Sequence, residues 1–234
     1  MGLETIIVAK STGSNIKIFI SANKSLLFMP NVSNKLNINI QMRKQLIQRL
    51  YEILNNHVKN HGYNYLRNQI PKDFNCGIYF FFEKITQIEN NQFKITYIGI
   101  TKKNNNNRLE KHQINGPSSF RDHVGEAINN RNGVVNNLSI DQYIHNLPYI
   151  FITIKNIDDL KLIEKRTIEL VSNFYQAPSI HIPNKDWLGY SHTQSIIPKA
   201  HIWNIQHAGG KYSDKNNHSD PLDKLSYYSK DMIK

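Results

Sequence analysis

Two runs of β-branched and aromatic residues do most to limit what this chain can fold into. Residues 76–83 read CGIYFFFE and residues 93–101 read FKITYIGIT, and each has the composition of a core strand. The polar IENNQ at 88–92 reads as the turn between them. A third apolar run at 147–154, LPYIFITI, supplies another strand. Helical patterns lie around these strands. Leu46, Ile47, Leu50, Ile53, Leu54, His57 and Val58 recur at helical spacing across 39–61, with Gly62 as a stop signal. Shorter helices are expected at 108–112 and 119–129, and a longer one at 158–174 with Asp158 as its N-cap. Leu160, Ile163, Thr167, Val171 and Phe174 form the apolar face of that helix, and Glu164 sits at its margin. The expected class is α/β, in the α+β sense, with a small central sheet.

At either end the pattern loosens. Residues 4–9 and 15–20 read as a hairpin around Ser-Thr-Gly-Ser at 11–14, and Pro71 interrupts the chain before the first core strand. Beyond Pro178 the sequence looks loop-rich, closing in a short helix over 221–233. The expected division is 1–75 as an N-terminal elaboration, 76–184 as the core, and 185–234 as an extension packed on the core.

Composition narrows the partner. Lysine and arginine number 29 against 18 acids, a formal net charge of +11, which suits a polyanion. Runs such as KKNNNN at 102–107 also fit the codon bias of an A+T-rich genome, so charge alone does not establish nucleic-acid binding. The single cysteine, Cys76, can form neither an internal disulfide nor a cysteine-type zinc site, and reads as a small buried residue entering a strand. No stretch approaches the roughly 18 unbroken apolar residues of a membrane span. The first residues lack a signal-peptide pattern, so a cytoplasmic prokaryotic protein is expected.

The core strands contain Gly77-Ile78-Tyr79 and Tyr97-Ile98-Gly99, followed by Arg108 opening a helix, a further strand, and a helix bearing Glu164. In that order these residues resemble the GIY-YIG nuclease family. SSFRDHVGEAI at 118–128, NKDWLGYS and HIWN resemble segments of some members. The gap between the two tyrosines is longer than usual in the family, which implies a longer hairpin. The fold implied is a GIY-YIG core, a central antiparallel sheet flanked by helices, with N- and C-terminal elaborations.

The resemblance maps the family's site onto Tyr79, Tyr97, Arg108 and Glu164. A histidine one turn after the arginine, as in some restriction enzymes of the family, falls on His112. An asparagine expected beyond the glutamate falls on Asn184, with Asn173 as the alternative. These residue types suit phosphodiester hydrolysis. Arg108 grips a phosphate through a planar, permanently charged guanidinium. Glu164 offers a hard oxygen to Mg²⁺, for which Mn²⁺ substitutes, while Glu169 is read as a solvated acid on another side of the helix. Tyr79 serves as general base, oriented by Tyr97 and passing its proton to His112, although the two tyrosines can be exchanged in that scheme. A phenol, ordinarily near pKa 10, needs neighbouring cations or a base for such work.

Neither a zinc finger nor a helix-turn-helix pattern appears, so recognition is assigned to the 41–60 helix, residues 113–145 and the C-terminal tail. That layout suits a type II restriction endonuclease on double-stranded DNA, with room for a homodimer and with a DNA methyltransferase as its companion. A stand-alone repair or structure-specific nuclease remains the alternative, followed by a non-catalytic DNA-binding protein with a GIY-YIG-like core.

Overall fold

The structure is a computed structural model that describes residues 7–12, 15–20, 30–70, 76–84, 93–102, 108–113, 116–132, 137–172, 183, 187–209 and 220–230. It divides into two compact units, Met1–Arg43 and Lys44–Lys234. The smaller unit contains an antiparallel hairpin, β1 (Ile7–Thr12) and β2 (Asn15–Ile20), in which Ile7 faces Ile20 and Thr12 faces Asn15. The first strand thus runs later than 4–9, because Ser11 and Thr12 are paired strand residues rather than turn. Helix α1 (Pro30–His61) begins well before residue 39.

The larger unit is built on a four-stranded antiparallel sheet in the order β3-β6-β4-β5. Its strands are β3 (Asn64–Tyr65), β4 (Gly77–Lys84), β5 (Phe93–Thr101) and β6 (Pro148–Thr153). Alternate residues point to opposite faces, and both faces are buried, which explains why the strands read as unbroken apolar runs. One face carries Ile78, Phe80, Ile98, Ile150 and Ile152, and packs with Ile47, Leu50 and Leu54 of α1. Leu160 and Ile163 of α5 (Ile157–Val171) and Leu222 and Leu225 of α7 (Pro221–Lys230) complete that layer.

Tyr79, Phe81, Tyr97, Tyr149 and Phe151 belong to the other layer. They pack with Leu109 of α2 (Arg108–Gln113), with Phe120 and Val124 of α3 (Ser119–Asn132), and with Ile140 and Ile144 of α4 (Asn137–His145). Trp187 and Trp203 close this side. Cys76 is buried as expected, and its thiol donates to the Ile154 carbonyl at 3.2 Å.

Two local readings need correction. The N-cap of α5 is Asn156, whose side-chain oxygen accepts from the backbone N–H of Asp158 (3.0 Å) and of Asp159 (3.1 Å). Asp158 sits inside the first turn, where its negative charge favours the helix N-terminus without capping it. Glu169 is buried, and Arg166 donates to it at 3.0 Å, so it is a paired core acid rather than a solvated one. The chain beyond 185 also holds more structure than its Pro, Gly and His content suggests. It forms a 3-10 turn at Leu188–Ser191, α6 (Ile196–Ala200) and α7. Helix α7 is tied down by ion pairs from Lys224 to Asp159 and from Arg49 to Asp223.

The free edge of β5 is covered by this C-terminal chain. Trp203 N–H donates to the Thr96 carbonyl at 2.8 Å. The Asn204 amide then imitates a strand, accepting from Ile98 N–H at 2.9 Å and donating to the Ile98 carbonyl at 2.7 Å. Asn204→Leu removes both partners of buried backbone groups and should lower unfolding stability by ~3 kcal/mol, read by urea denaturation. A change below ~0.5 kcal/mol would mean that water replaces the amide at no cost.

Candidate active site

Strand register brings the two tyrosine motifs together. β4 pairs with β5 so that Tyr79 lies opposite Gly99 and Phe81 opposite Tyr97, which sets Tyr79 and Tyr97 on the same face. The Tyr79 ring and hydroxyl lie directly over Gly99, where any side chain would collide with them. Gly77 is required in the same way, because a Cβ there would strike the Ile152 carbonyl and the Phe151 ring. Both motif glycines are therefore places of close approach.

Tyr79 and His112 are fully buried, and Tyr97 nearly so. The Tyr79 hydroxyl lies 3.0 Å from His112 Nε2, and Ser118 Oγ lies 2.7 Å from His112 Nδ1. Tyr97 stacks on Phe120 with centroids 4.3 Å apart. Burial drives the His112 pKa down to about 3, assisted by the positive charges of Arg108 and Arg121. The imidazole is therefore neutral and can accept the Tyr79 hydrogen through Nε2 while Nδ1–H donates to Ser118. Burial and Tyr97 hold the Tyr79 phenol well above its ordinary pKa, with Arg108 pulling the other way. The cation is present, but desolvation outweighs it, so Tyr79 rests protonated.

Past the end of β5 a pocket of about 870 Å³ opens, lined by Ile100, Thr101 and Lys102, by Arg108 and Lys111 of α2, by Pro117, Ser118 and Ser119, by Lys161, Glu164 and Lys165 of α5, and by Gln206 and His207. Arg108 and Glu164 thus face one space from different elements, each half-buried. Among the described residues neither belongs to a salt bridge. Burial raises the Glu164 carboxyl above its usual range, while Arg108 and then Lys102 oppose the rise. Of the residues expected from sequence, Tyr79, Tyr97, Arg108, His112 and Glu164 cluster at or beneath this pocket. Asn184 and its alternative Asn173 lie outside the described residues.

The donor set fits one hard divalent cation, since Glu164 is an unpaired carboxylate in an open polar pocket with room for the waters that Mg²⁺ retains. A second group of ligand-type side chains, His123 and Glu126 of α3 with His192, does not make a metal centre as it stands. His192 Nε2 lies 3.2 Å from both His123 Nδ1 and Glu126 Oε2. Gln194 N–H donates to His192 Nδ1 at 3.0 Å, which leaves the proton on the nitrogen a metal would need. These three side chains form a closed hydrogen-bond network that ties α3 to the C-terminal chain.

A family model described as the GIY-YIG domain was compared with the sequence. Residues 135–229 match it. The match takes in β6, α5 with Glu164, and the segment that edges β5, and it supports a nuclease. It covers less than half of the chain, and the GIY and YIG triplets lie before it. The four-stranded antiparallel sheet with its helices agrees with the core of GIY-YIG nucleases. No curated protein and no solved structure matches the chain. None of the described helices is long and apolar enough to cross a membrane.

Sequence reading misses Asn204, Thr101, the pocket lysines and His207. HIWN stands out in the sequence only as a likeness, and nothing local signals that its asparagine holds the backbone of Ile98. Acid should expose the buried histidines. His112 is held at about 3, and His57 and His201 each at about 4, all chiefly by burial. The unfolded chain binds these protons near pH 6.5, so unfolded protein carries more protons between the two values and stability rises with pH there. His112 alone contributes a slope of up to about 1.4 kcal/mol per pH unit. Denaturation from pH 4.5 to 7.5 should show stability climbing and then levelling above pH 6.5, with a shallower climb in His112→Gln. A flat profile would contradict a neutral, buried His112.

Proposed function

We propose that the chain is a divalent-metal-dependent endonuclease that hydrolyses phosphodiester bonds of double-stranded DNA, as a site-specific type II restriction enzyme. One observation carries this reading. Arg108 and Glu164 share an open pocket without forming a salt bridge, beside a tyrosine whose hydroxyl meets a neutral imidazole at 3.0 Å. An acid and an arginine placed only for stability would be expected to pair, as Arg166 and Glu169 do.

The chemistry follows from the protonation states. Arg108 binds the scissile phosphate and strengthens its hold as negative charge develops on the equatorial oxygens. Tyr79 removes a proton from the attacking water while its own proton passes to His112 Nε2, so no free phenolate is needed. His112 touches both rings but hydrogen-bonds to the Tyr79 hydroxyl, at 3.0 Å, which favours Tyr79 as the base. Tyr97, stacked on Phe120, fixes the position of Tyr79. Glu164 would hold Mg²⁺ or Mn²⁺, which when bound supplies Lewis-acid stabilisation of the leaving oxygen. Asn184 remains the proposed asparagine of the site.

The restriction assignment rests on architecture. Recognition would come from segments woven around the sheet, among them α1, the α3–α4 region and the C-terminal chain. One such site per chain calls for two copies, or two successive nicks, to cut both strands. A DNA methyltransferase encoded nearby would protect the host, and the enzyme would work in a prokaryotic cytoplasm.

Unmethylated phage DNA with Mg²⁺ should yield discrete fragments. Cleavage of branched DNA alone would favour a structure-specific nuclease, and no cleavage of any DNA would favour a binding protein. Arg108→Lys should cut about 100-fold or more slowly while binding cognate DNA comparably, and Tyr79→Phe should lose more activity than Tyr97→Phe. Near-normal turnover by Arg108→Lys would remove the phosphate clamp, and the opposite ranking of the tyrosines would exchange their roles.

A further inference from the structure

The pocket carries more positive charge than one phosphodiester requires. Lys102, Arg108, Lys111, Lys161 and Lys165 line it with a single acid, Glu164. One phosphate, one divalent cation, Arg108 and Glu164 already sum to a small positive charge, which leaves four lysines unanswered. Among the described residues none of these four lysines belongs to a salt bridge. Lys161 and Lys165 are exposed and Lys102 and Lys111 half-buried, so all four are within reach of a polyanion.

The lysines are also arranged by wall. Lys102 and Lys111 stand with Arg108 on the side of β5 and α2, whereas Lys161 and Lys165 lie one helical turn apart on α5 and bracket Glu164. Gln206 and His207 line the pocket too, and the positive charge of Lys165 is close enough to press the His207 pKa downward, after burial.

We propose that this pocket binds a run of at least two adjacent phosphates of one nucleic-acid strand. Arg108 holds the scissile group, and Lys161 and Lys165, beside Gln206 and His207, form a second phosphate subsite. This rests on the nuclease reading and adds to it the side chains that hold the phosphate next to the scissile one. Lys161 and Lys165 act in binding and do not touch the reacting atoms.

The test is binding of a fluorescent DNA duplex in EDTA across roughly 50–300 mM salt, the span over which charge pairing with phosphate reveals itself. In the Lys161→Gln, Lys165→Gln double variant, the slope of log affinity against log salt should shrink by about 0.9, for the one phosphate no longer neutralised. Affinity should fall at least ~10-fold at the low-salt end. Lys161→Arg with Lys165→Arg should restore most of the slope, and the thermal midpoint should stay that of the wild type. An unchanged slope in the double glutamine variant would overturn the subsite even if the wild type cuts DNA. Weaker binding with an unaltered slope would also overturn it. A wild type that neither binds nor cuts DNA would remove the nuclease reading and the subsite together.

Discussion

Tyr79 lies across the backbone of Gly99, and much of the site depends on that close approach. Antiparallel register puts the two residues opposite each other on neighbouring strands, and the missing side chain at 99 lets the phenol lie flat against β5. From there its hydroxyl reaches His112, which α2 presents from above. A shift of one residue in that pairing would send Tyr79 to the opposite face of the sheet. The register is protected on both sides. Gly77 packs against β6, and Asn204 holds the free edge of β5 at Ile98.

Because both faces of the sheet are covered, the site combines two environments. Beneath the pocket the tyrosines and His112 are dry, so His112 stays neutral and the phenol of Tyr79 keeps its proton. In the pocket itself, Arg108, Glu164 and the lysines remain accessible and unpaired among themselves. In the resting protein the Tyr79–His112 hydrogen bond thus joins two neutral groups in a dry layer, while the charged groups lie where a polyanion can reach them.

Strands β4, β5 and β6 are legible in the sequence to within about a residue because burial on two faces gives continuous apolar runs. The long helix and the glutamate helix are legible from periodicity. Short or marginal elements are not. Two-residue β3 has no pattern to read, and α4 is a nine-residue segment in which Ile140, Tyr143 and Ile144 stand at helical spacing over little more than one turn. Asp158 reads as a cap as readily as Asn156 because both residue types cap well, and only the local backbone decides between them. Glu169 reads as a solvated acid because an acid on a helix usually is one; the i,i+3 spacing from Arg166 permits a pair, but burial of that pair depends on tertiary packing. Tyr79, Tyr97, Arg108, His112 and Glu164 can be named through the order of a multi-part motif. Asn204, Thr101 and the lysine walls arise from long-range packing that no local spacing encodes.

Glu164 must serve chemistry rather than stability for the site to work as proposed, and one variant separates the two roles. Glu164→Gln keeps the side-chain size and breaks no salt bridge among the described residues. The decisive measurement is plasmid cleavage by Glu164→Gln in Mg²⁺ alongside its affinity for the same DNA. Cleavage should fall by about three orders of magnitude or more, with Mn²⁺ recovering little of it. DNA affinity should hold or rise, since a negative charge beside phosphate has been removed. A Glu164→Gln protein that folds, binds DNA and cuts it at the wild-type rate would contradict the metal-site assignment and the mechanism built on it.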